Sequence, residues 1–219
     1  MNRNARIVGN YRFDSTLRRP EAAAHEMRGE AVMIVVVMGV SGVGKTTVGR
    51  CLAERLGARF LEGDRYHPAA NVEKMRRGEP LSDADRQPWL ETLAGELVAC
   101  RARGESVVLA CSALRRRYRD ILRAGSRRSG TSADAVSDFA EAAKCHDGVG
   151  FVFLDAAQAV IQRRLDMRRD HFMPPSLLDS QFAALEKPGA DECAISADAA
   201  QAPEAIVELV LHELRRRPD

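Results

Sequence analysis

The stretch Val32-Met33-Ile34-Val35-Val36-Val37-Met38-Gly39-Val40-Ser41-Gly42-Val43-Gly44-Lys45-Thr46-Thr47 decides how this chain is read. Its first seven residues form an unbroken apolar run, as a parallel strand covered on both faces requires. The next eight fit G-x-x-x-x-G-K-[ST]. Beyond them Val48, Cys51, Leu52, Arg55 and Leu56 recur at helical spacing, and Gly57 is placed to end the helix. Strand, glycine loop and helix in this order make a phosphate cradle. The glycines let the backbone curl so that successive N–H groups point inward, and the positive end of the helix adds to their pull on an anion. Residues expected to hold the nucleotide are Gly39, Val40, Ser41, Gly42, Val43, Gly44, Lys45, Thr46 and Thr47. In this pattern Lys45 reaches the β- and γ-phosphates, and Thr46 ligates Mg²⁺.

Composition narrows the setting. The 219 residues suit one domain with room for a small mobile subdomain, and a hydrophobic share of 45% with 29% charged residues describes a soluble globular chain. Lys and Arg number 33 against 31 Asp and Glu, a formal net charge of +2, so no global field favours nucleic acid or a membrane surface. Anion binding must therefore be local. Five dispersed cysteines without a C-x-x-C pair point to free thiols in a reducing compartment, here the cytoplasm, and away from a zinc site. No apolar run approaches the ~20 residues of a membrane span. Residues 1–31 carry arginines but little apolar periodicity and read as a poorly ordered extension. Asp14, Glu21, Glu26 and Glu30 fit a transit peptide badly, and Met27 and Met33 offer alternative starts.

Further along, Arg59-Phe60-Leu61-Glu62 is a short strand whose end at Gly63-Asp64 should lie beside the phosphate loop. Residues 65–80 read as polar and turn-rich, broken by Pro68, Gly78 and Pro80. Ser82 and Asp85 form an S-x-x-D capping box for a helix that carries Trp89, Leu93 and Leu97 to near Gly104. Strands are expected over 106–111, 150–154 and 193–196. Helices are expected after each, the second carrying Val160, Ile161 and Leu165 and the last opened by Pro203. Residues 126–148 shift to Ser, Ala, Asp and Gly and read as a surface insertion. Alternating strands and helices mean an α/β fold with a mainly parallel sheet flanked by helices, and ligands at the carboxyl ends of its strands.

A phosphate loop alone leaves GTPases, motors, ATPases and small-molecule kinases open. The chain has no N-K-x-D guanine motif, and its third strand ends in Cys111-Ser112 instead of an acidic pair. Four further stretches carry a resemblance. They are Gly63-Asp64-Arg65-Tyr66-His67-Pro68 with Asn71 and Lys74-Met75; Gly78-Glu79-Pro80-Leu81-Ser82-Asp83-Ala84-Asp85-Arg86 with Pro88-Trp89-Leu90; Cys111-Ser112-Ala113-Leu114-Arg115 with Tyr118-Arg119; and Arg164-Leu165, Arg168 and His171-Phe172-Met173-Pro174 with Ser180-Gln181-Phe182 and Leu185-Glu186. In this order, over roughly residues 32–186, they resemble the gluconokinase family of P-loop small-molecule kinases. Glu62 departs from that pattern where an aspartate is common, and Ala84 interrupts an acidic triplet.

The resemblance implies a P-loop kinase-like fold with a small helical acceptor subdomain and a lid at about 163–186. It also implies ATP- and Mg²⁺-dependent phosphorylation of D-gluconate to 6-phospho-D-gluconate, and a homodimer. A kinase for another small hydroxy acid, such as shikimate, and a non-catalytic nucleotide-binding regulator are the competing readings. Phosphoryl transfer asks mainly for positioning and charge neutralisation. Lys45, Asp64, Arg164 and Arg168 are the catalytic candidates, with Asp64 accepting the attacking hydroxyl's hydrogen bond. Asp64, His67, Lys74, Arg86, Ser112 and His171 are the substrate candidates, Lys74 and Arg86 because a sugar acid's carboxylate wants a cation. Each has a plainer alternative: a turn aspartate, solvated cations, a serine capping a helix. Arg164, Arg168 and His171 at i, i+4 and i+7 would share one face of a continuous helix, and that face is the expected lid. Trp89 reads as subdomain core, and the Arg115 to Arg119 cluster as a helix surface near the cleft.

Overall fold

The computed structural model of the protein describes residues 32–126, 148–167, 175–192 and 194–215. The expected extension over 1–31 and nearly all of the expected insertion lie outside them. Strand β1 (Ile34–Met38) is buried at every position, as its unbroken apolar run requires. Its side chains part between two cores. Val35 and Val37 point to the layer holding α1 (Lys45–Arg55) and the last helix, α7 (Pro203–Arg215). Ile34, Val36 and Met38 point to the layer of α3 (Asp83–Ala102) and α4 (Arg116–Ser126).

Around β1 stand β2 (Arg59–Glu62), β3 (Val107–Ala110), β4 (Val149–Asp155) and β5 (Ala194–Asp198) in the order β2-β3-β1-β4-β5, every pairing parallel. Val36 pairs with Leu109 on one side and Phe151 on the other. The chain runs from β1 out to β2, returns through β3 and passes β1 to β4 and β5, and the glycine loop follows the carboxyl end of β1. The Ser82–Asp85 capping box forms in both directions at the start of α3.

Three expectations need correction. Residues 65–80 are not merely turns: a 3₁₀ turn (Gly63–Tyr66) leads through Pro68 into α2 (Ala69–Arg76). Pro68 occupies the N-cap of that helix, a place where proline opens helices as readily as it breaks them. α2 went unread because its one buried residue is Asn71, which leaves no apolar stripe; the Asn71 amide instead donates to the Asp85 carbonyl at 2.8 Å. Second, the helix carrying Arg164, α5 (Gln158–Asp166), ends two residues short of Arg168, with Met167 as its C-cap residue. A separate helix, α6 (Pro175–Ala184), follows. The helix that carries Arg164 thus ends before Arg168, and Arg168 and His171 lie outside the described residues.

Third, the arginine face of α4 is not all surface. Arg119 is fully buried and makes two bonds to the buried Glu192 carboxylate, at 2.5 and 2.7 Å. The same guanidinium donates to the carbonyls of Ala113 (3.2 Å), Leu114 (3.4 Å) and Glu186 (3.0 Å). Ala113 has φ +41°, a left-handed conformation unusual for a residue with a Cβ. Arg119 holds the loop after β3 in that shape.

Candidate active site

The glycine loop is shaped for an anion. Gly42 has φ +80°, and a Cβ there would lie 2.8 Å from Leu165, so α5 packs against the loop only because the side chain is missing. Gly44 has φ +107° with open space where its Cβ would be, on the side a ligand approaches. Gly44 is also the N-cap of α1, makes no side-chain cap, and no acidic residue occupies the first turn. The amides at that helix end are thus left for a ligand. The Lys45 ammonium donates to the Val40 carbonyl at 3.0 Å. Desolvation pulls its pKa below the ordinary lysine value, and the Asp64 carboxylate opposes that shift. An arriving phosphate would supply the missing counter-charge.

Beside the loop, β2 delivers Glu62 and, on the 3₁₀ turn, the exposed Asp64. Burial raises the Glu62 pKa, a hydrogen bond with Thr46 holds it down, and Asp64 raises it further. Thr46, Glu62 and Asp64 thus cluster hard oxygen donors at the loop. Among the described residues no group of three His, Cys, Asp or Glu side chains could hold a metal alone. A hydroxyl, one or two carboxylates and substrate phosphates are the donor set Mg²⁺ takes in such sites, so these residues fit the ion. Cys111, at the end of β3, is buried, and desolvation pushes its thiol up to about 12, so it stays protonated and is no nucleophile.

A cavity of about 230 Å³ opens directly from the loop. Its nucleotide side is lined by Ser41 and Lys45; Asp64, His67, Arg86 and Ser112 line the rest together with apolar Met75, Leu81, Leu114 and Leu177. The volume lies below the ~300–1,000 Å³ of pockets for drug-sized ligands and suits a small polar acceptor. Six sequence-selected residues therefore converge: Ser41, Lys45, Asp64, His67, Arg86 and Ser112. His67 stacks on Trp89 with ring centroids 4.1 Å apart, and Trp89 is anchored by its indole N–H on the Gly63 carbonyl at 2.8 Å. The His67 Nδ1 is buried without a hydrogen-bond partner among the described residues. Desolvation lowers the His67 pKa, with Asp64 opposing and Arg86 reinforcing, so the ring favours its neutral form. A buried imidazole nitrogen without a protein partner can bond a ligand hydroxyl.

Arg86 is positioned by donating to the Leu81 carbonyl at 2.5 Å and to the Tyr118 hydroxyl at 3.4 Å. Lys74 stands elsewhere. Its ammonium bonds both Asp85 oxygens, at 2.8 and 2.9 Å, and does not line the cavity. Arg164 is likewise engaged, donating to Ala199 O at 2.6 Å and Val43 O at 3.4 Å, so here it buttresses the glycine loop. Trp89, read as core, is buried in the core and also forms the floor beneath His67. The site also holds a residue to which no role had been assigned: Gln181 of α6, whose Oε1 accepts from Ser41 N–H at 2.7 Å. Its only trace in sequence is the Ser180-Gln181-Phe182 stretch within the family resemblance.

Known proteins agree with this architecture. Residues 34–188 match the protein family described as an AAA domain. A probable gluconokinase of Xenopus tropicalis is 43% identical over 84% of this chain and 95% of its own. The gluconokinase of Gluconobacter oxydans (strain 621H) is 45% identical over 81% of this chain and 89% of its own. The crystal structure of a gluconokinase from Sinorhizobium meliloti 1021 superposes with a TM-score of 0.70 at 39% identity, covering 85% of this chain and 94% of that one. With its parallel sheet, glycine loop and adjoining cavity, the chain belongs to the gluconokinase family of P-loop kinases.

Proposed function

We propose that the protein transfers the γ-phosphoryl group of ATP to the 6-hydroxyl of D-gluconate, giving 6-phospho-D-gluconate and ADP. The observation that carries this reading is the shared cavity: Ser41 and Lys45 of the phosphate loop line the same space as Asp64, Arg86 and Ser112. A phosphoryl donor and a polyhydroxy acid can meet there.

In this reading the loop amides and the start of α1 bind the phosphates, and Lys45 turns from Val40 O to the oxygens of the transferring group. Mg²⁺, held by Thr46 with Glu62 and Asp64 nearby, supplies neutralisation of the β- and γ-phosphate charge when bound. Arg86 pairs with the gluconate carboxylate, and His67 and Ser112 hydrogen-bond its hydroxyls. Asp64 orients the 6-hydroxyl and receives its proton as the new oxygen–phosphorus bond forms and the bond to the β–γ bridging oxygen breaks. Lys74 acts from behind, through Asp85, by fixing the start of α3 just ahead of Arg86. Arg164 steadies the loop through Val43 O and Ala199 O, while Arg168 is the residue proposed to meet the phosphoryl group on lid closure and His171 to contact the acceptor. Homodimerisation and a cytoplasmic location belong to the same proposal; among the described residues no helix is long and apolar enough to cross a membrane.

The test is ATP consumption with Mg²⁺ and D-gluconate, shikimate, glucose or no acceptor in parallel, with the phosphorylated product identified. Gluconate-dependent ADP release with 6-phosphogluconate formation is expected. Turnover of shikimate with none of gluconate would sink the substrate assignment. Nucleotide binding without acceptor-dependent release would sink the kinase reading.

A further inference from the structure

Three hydrogen bonds close a ring around the mouth of the cavity. The glycine loop is joined to the loop after β3 by Gly39 N–H on Ser112 O at 3.3 Å. That loop is joined to the segment following α6 by Glu186 N–H on Leu114 O at 2.8 Å. α6 is joined back to the glycine loop by Ser41 N–H on Gln181 Oε1 at 2.7 Å. Two of these links are backbone to backbone. The third is made by a side chain, and it uses an amide of the phosphate-binding loop.

An amide carries one proton, and in a phosphate loop that proton is part of the anion's donor set. With Gln181 Oε1 at hydrogen-bond distance, a nucleotide cannot use Ser41 N–H without displacing the carboxamide. The displaced group belongs to a helix that also shapes the acceptor side. Leu177 and Ser180 of α6 line the cavity, and Leu177 and Leu178 anchor the helix in the core at 4% and 0% exposure. We propose that Gln181 couples the two substrates: it holds Ser41 N–H while the loop is empty, yields that donor to a phosphate oxygen when nucleotide binds, and thereby releases its carboxamide and the α6 wall to receive the acceptor. Gln181 thus makes nucleotide binding favour acceptor binding, and by linkage acceptor binding favours nucleotide by the same factor. This rests on the loop and cavity being the ATP and gluconate sites.

The experiment is calorimetric titration of the full chain with gluconate, with and without saturating ADP, and with ADP alone. In the unaltered protein ADP should tighten gluconate binding by about fivefold or more, the usual scale of coupling between sites. In Gln181→Leu that factor should fall to about one, while ADP binding alone stays equal or becomes up to a few-fold tighter, because no competing acceptor remains. Coupling that survives in Gln181→Leu, or ADP affinity that falls in it, would overturn the proposal and leave Gln181 a static tether. Should the leucine variant unfold, Gln181→Glu keeps an oxygen for Ser41 N–H but sets a negative charge where the phosphate must come. ADP affinity should drop at least about tenfold, and an unchanged affinity would overturn the proposal. Both ADP-only arms read out without gluconate, so failure of the substrate assignment, seen as no gluconate binding to the unaltered protein, is distinguishable from failure of this one.

Discussion

The two sides of the cavity are built from different chemistry. On the nucleotide side the recognising groups are backbone: glycines at positive φ, an uncapped helix start and open space where a side chain at Gly44 would stand, with Lys45 as the added charge. On the acceptor side they are side chains, and the charged residues behind them are paired with one another. Asp83 accepts from Arg115 (2.8 Å), Arg117 (2.5 Å) and Tyr118. Asp85 holds Lys74, Tyr118 steadies Arg86, and Glu192 holds Arg119 beneath the Ser112 loop. The difference follows from the ligands. A triphosphate presents the same oxygens in every nucleotide, which amides of any sequence can meet. An acceptor with a carboxylate at one end and a reacting hydroxyl at the other needs individual side chains fixed in place, and that fixing needs a scaffold of ion pairs.

The largest effect tests the nucleotide side. Lys45→Ala should lower kcat at least about 10²–10³-fold, the scale for removing one preorganised transition-state contact, with thermal unfolding little changed. Substantial residual kcat would mean that backbone amides alone suffice. On the other side, Arg119→Ala should cost about 3 kcal/mol, because it strips the buried Glu192 of its two closest bonds and leaves it only Arg123 at 3.4 Å and the Gly189 N–H at 3.1 Å. Denaturant unfolding reads this, and a loss below about 1 kcal/mol would show that the Ser112 loop does not depend on the pair. Burial alone would push the Glu192 carboxyl up, yet the Arg119 bonds bring it from an ordinary 4.5 to about 2. A depressed carboxyl contributes its stability fully above its unfolded value. The contribution should therefore fade as the pH falls from 4.5 toward 2, and Glu192→Gln should flatten that limb of the pH–stability curve. Arg86→Ala should raise the KM for gluconate about 10–100-fold, the worth of a charged hydrogen bond, and leave the KM for ATP unmoved. An ATP effect of equal size would shift Arg86 from the acceptor side to the nucleotide side.

This contrast also governs what could be read from the chain. The glycine loop was legible because its function is written in backbone freedom, and only glycine at Gly42 and Gly44 allows the shape. β1 was legible because burial on both faces leaves an unbroken apolar run. The acceptor scaffold was not, since ion pairs between residues far apart in sequence leave no periodic trace: Arg119 and Glu192 are separated by 73 residues, and Arg119 stands among exposed arginines. α2 was hidden by a polar buried residue, and α6 by lying inside the stretch expected to form the lid at about 163–186. Asp64, Arg86 and Ser112 could be selected from strand ends and family resemblance, but Lys74 and Arg86 were indistinguishable until Asp85 was found to claim the lysine. Gln181 was visible only as part of a resembling stretch, because an uncharged amide has no electrostatic signature in sequence.

The smallest expected effect is the sharpest probe of how far the acceptor scaffold reaches. Ser82 caps α3: its Oγ accepts from Asp85 N–H at 3.2 Å and donates to Asp85 Oδ2 at 2.7 Å, while Ser82 N–H donates to the same oxygen at 2.8 Å. Donation from Lys74 and Ser82 holds the Asp85 carboxyl well below the usual carboxylate range. Ser82→Ala removes the hydroxyl and should cost about 1 kcal/mol of protein stability, read as a drop of about 2–4 °C in Tm. Asp85 would keep Lys74 and the Ser82 N–H, so the start of α3 should loosen without coming apart. Arg86, one residue on, would then sample positions away from Leu81 O, raising the KM for gluconate by a factor of about two to three, since only part of a hydrogen bond is lost. If the Tm falls while the KM for gluconate does not move, the cap stabilises α3 without positioning Arg86. The scaffold that specifies the acceptor would then begin at Tyr118 and Asp83, not at the helix end.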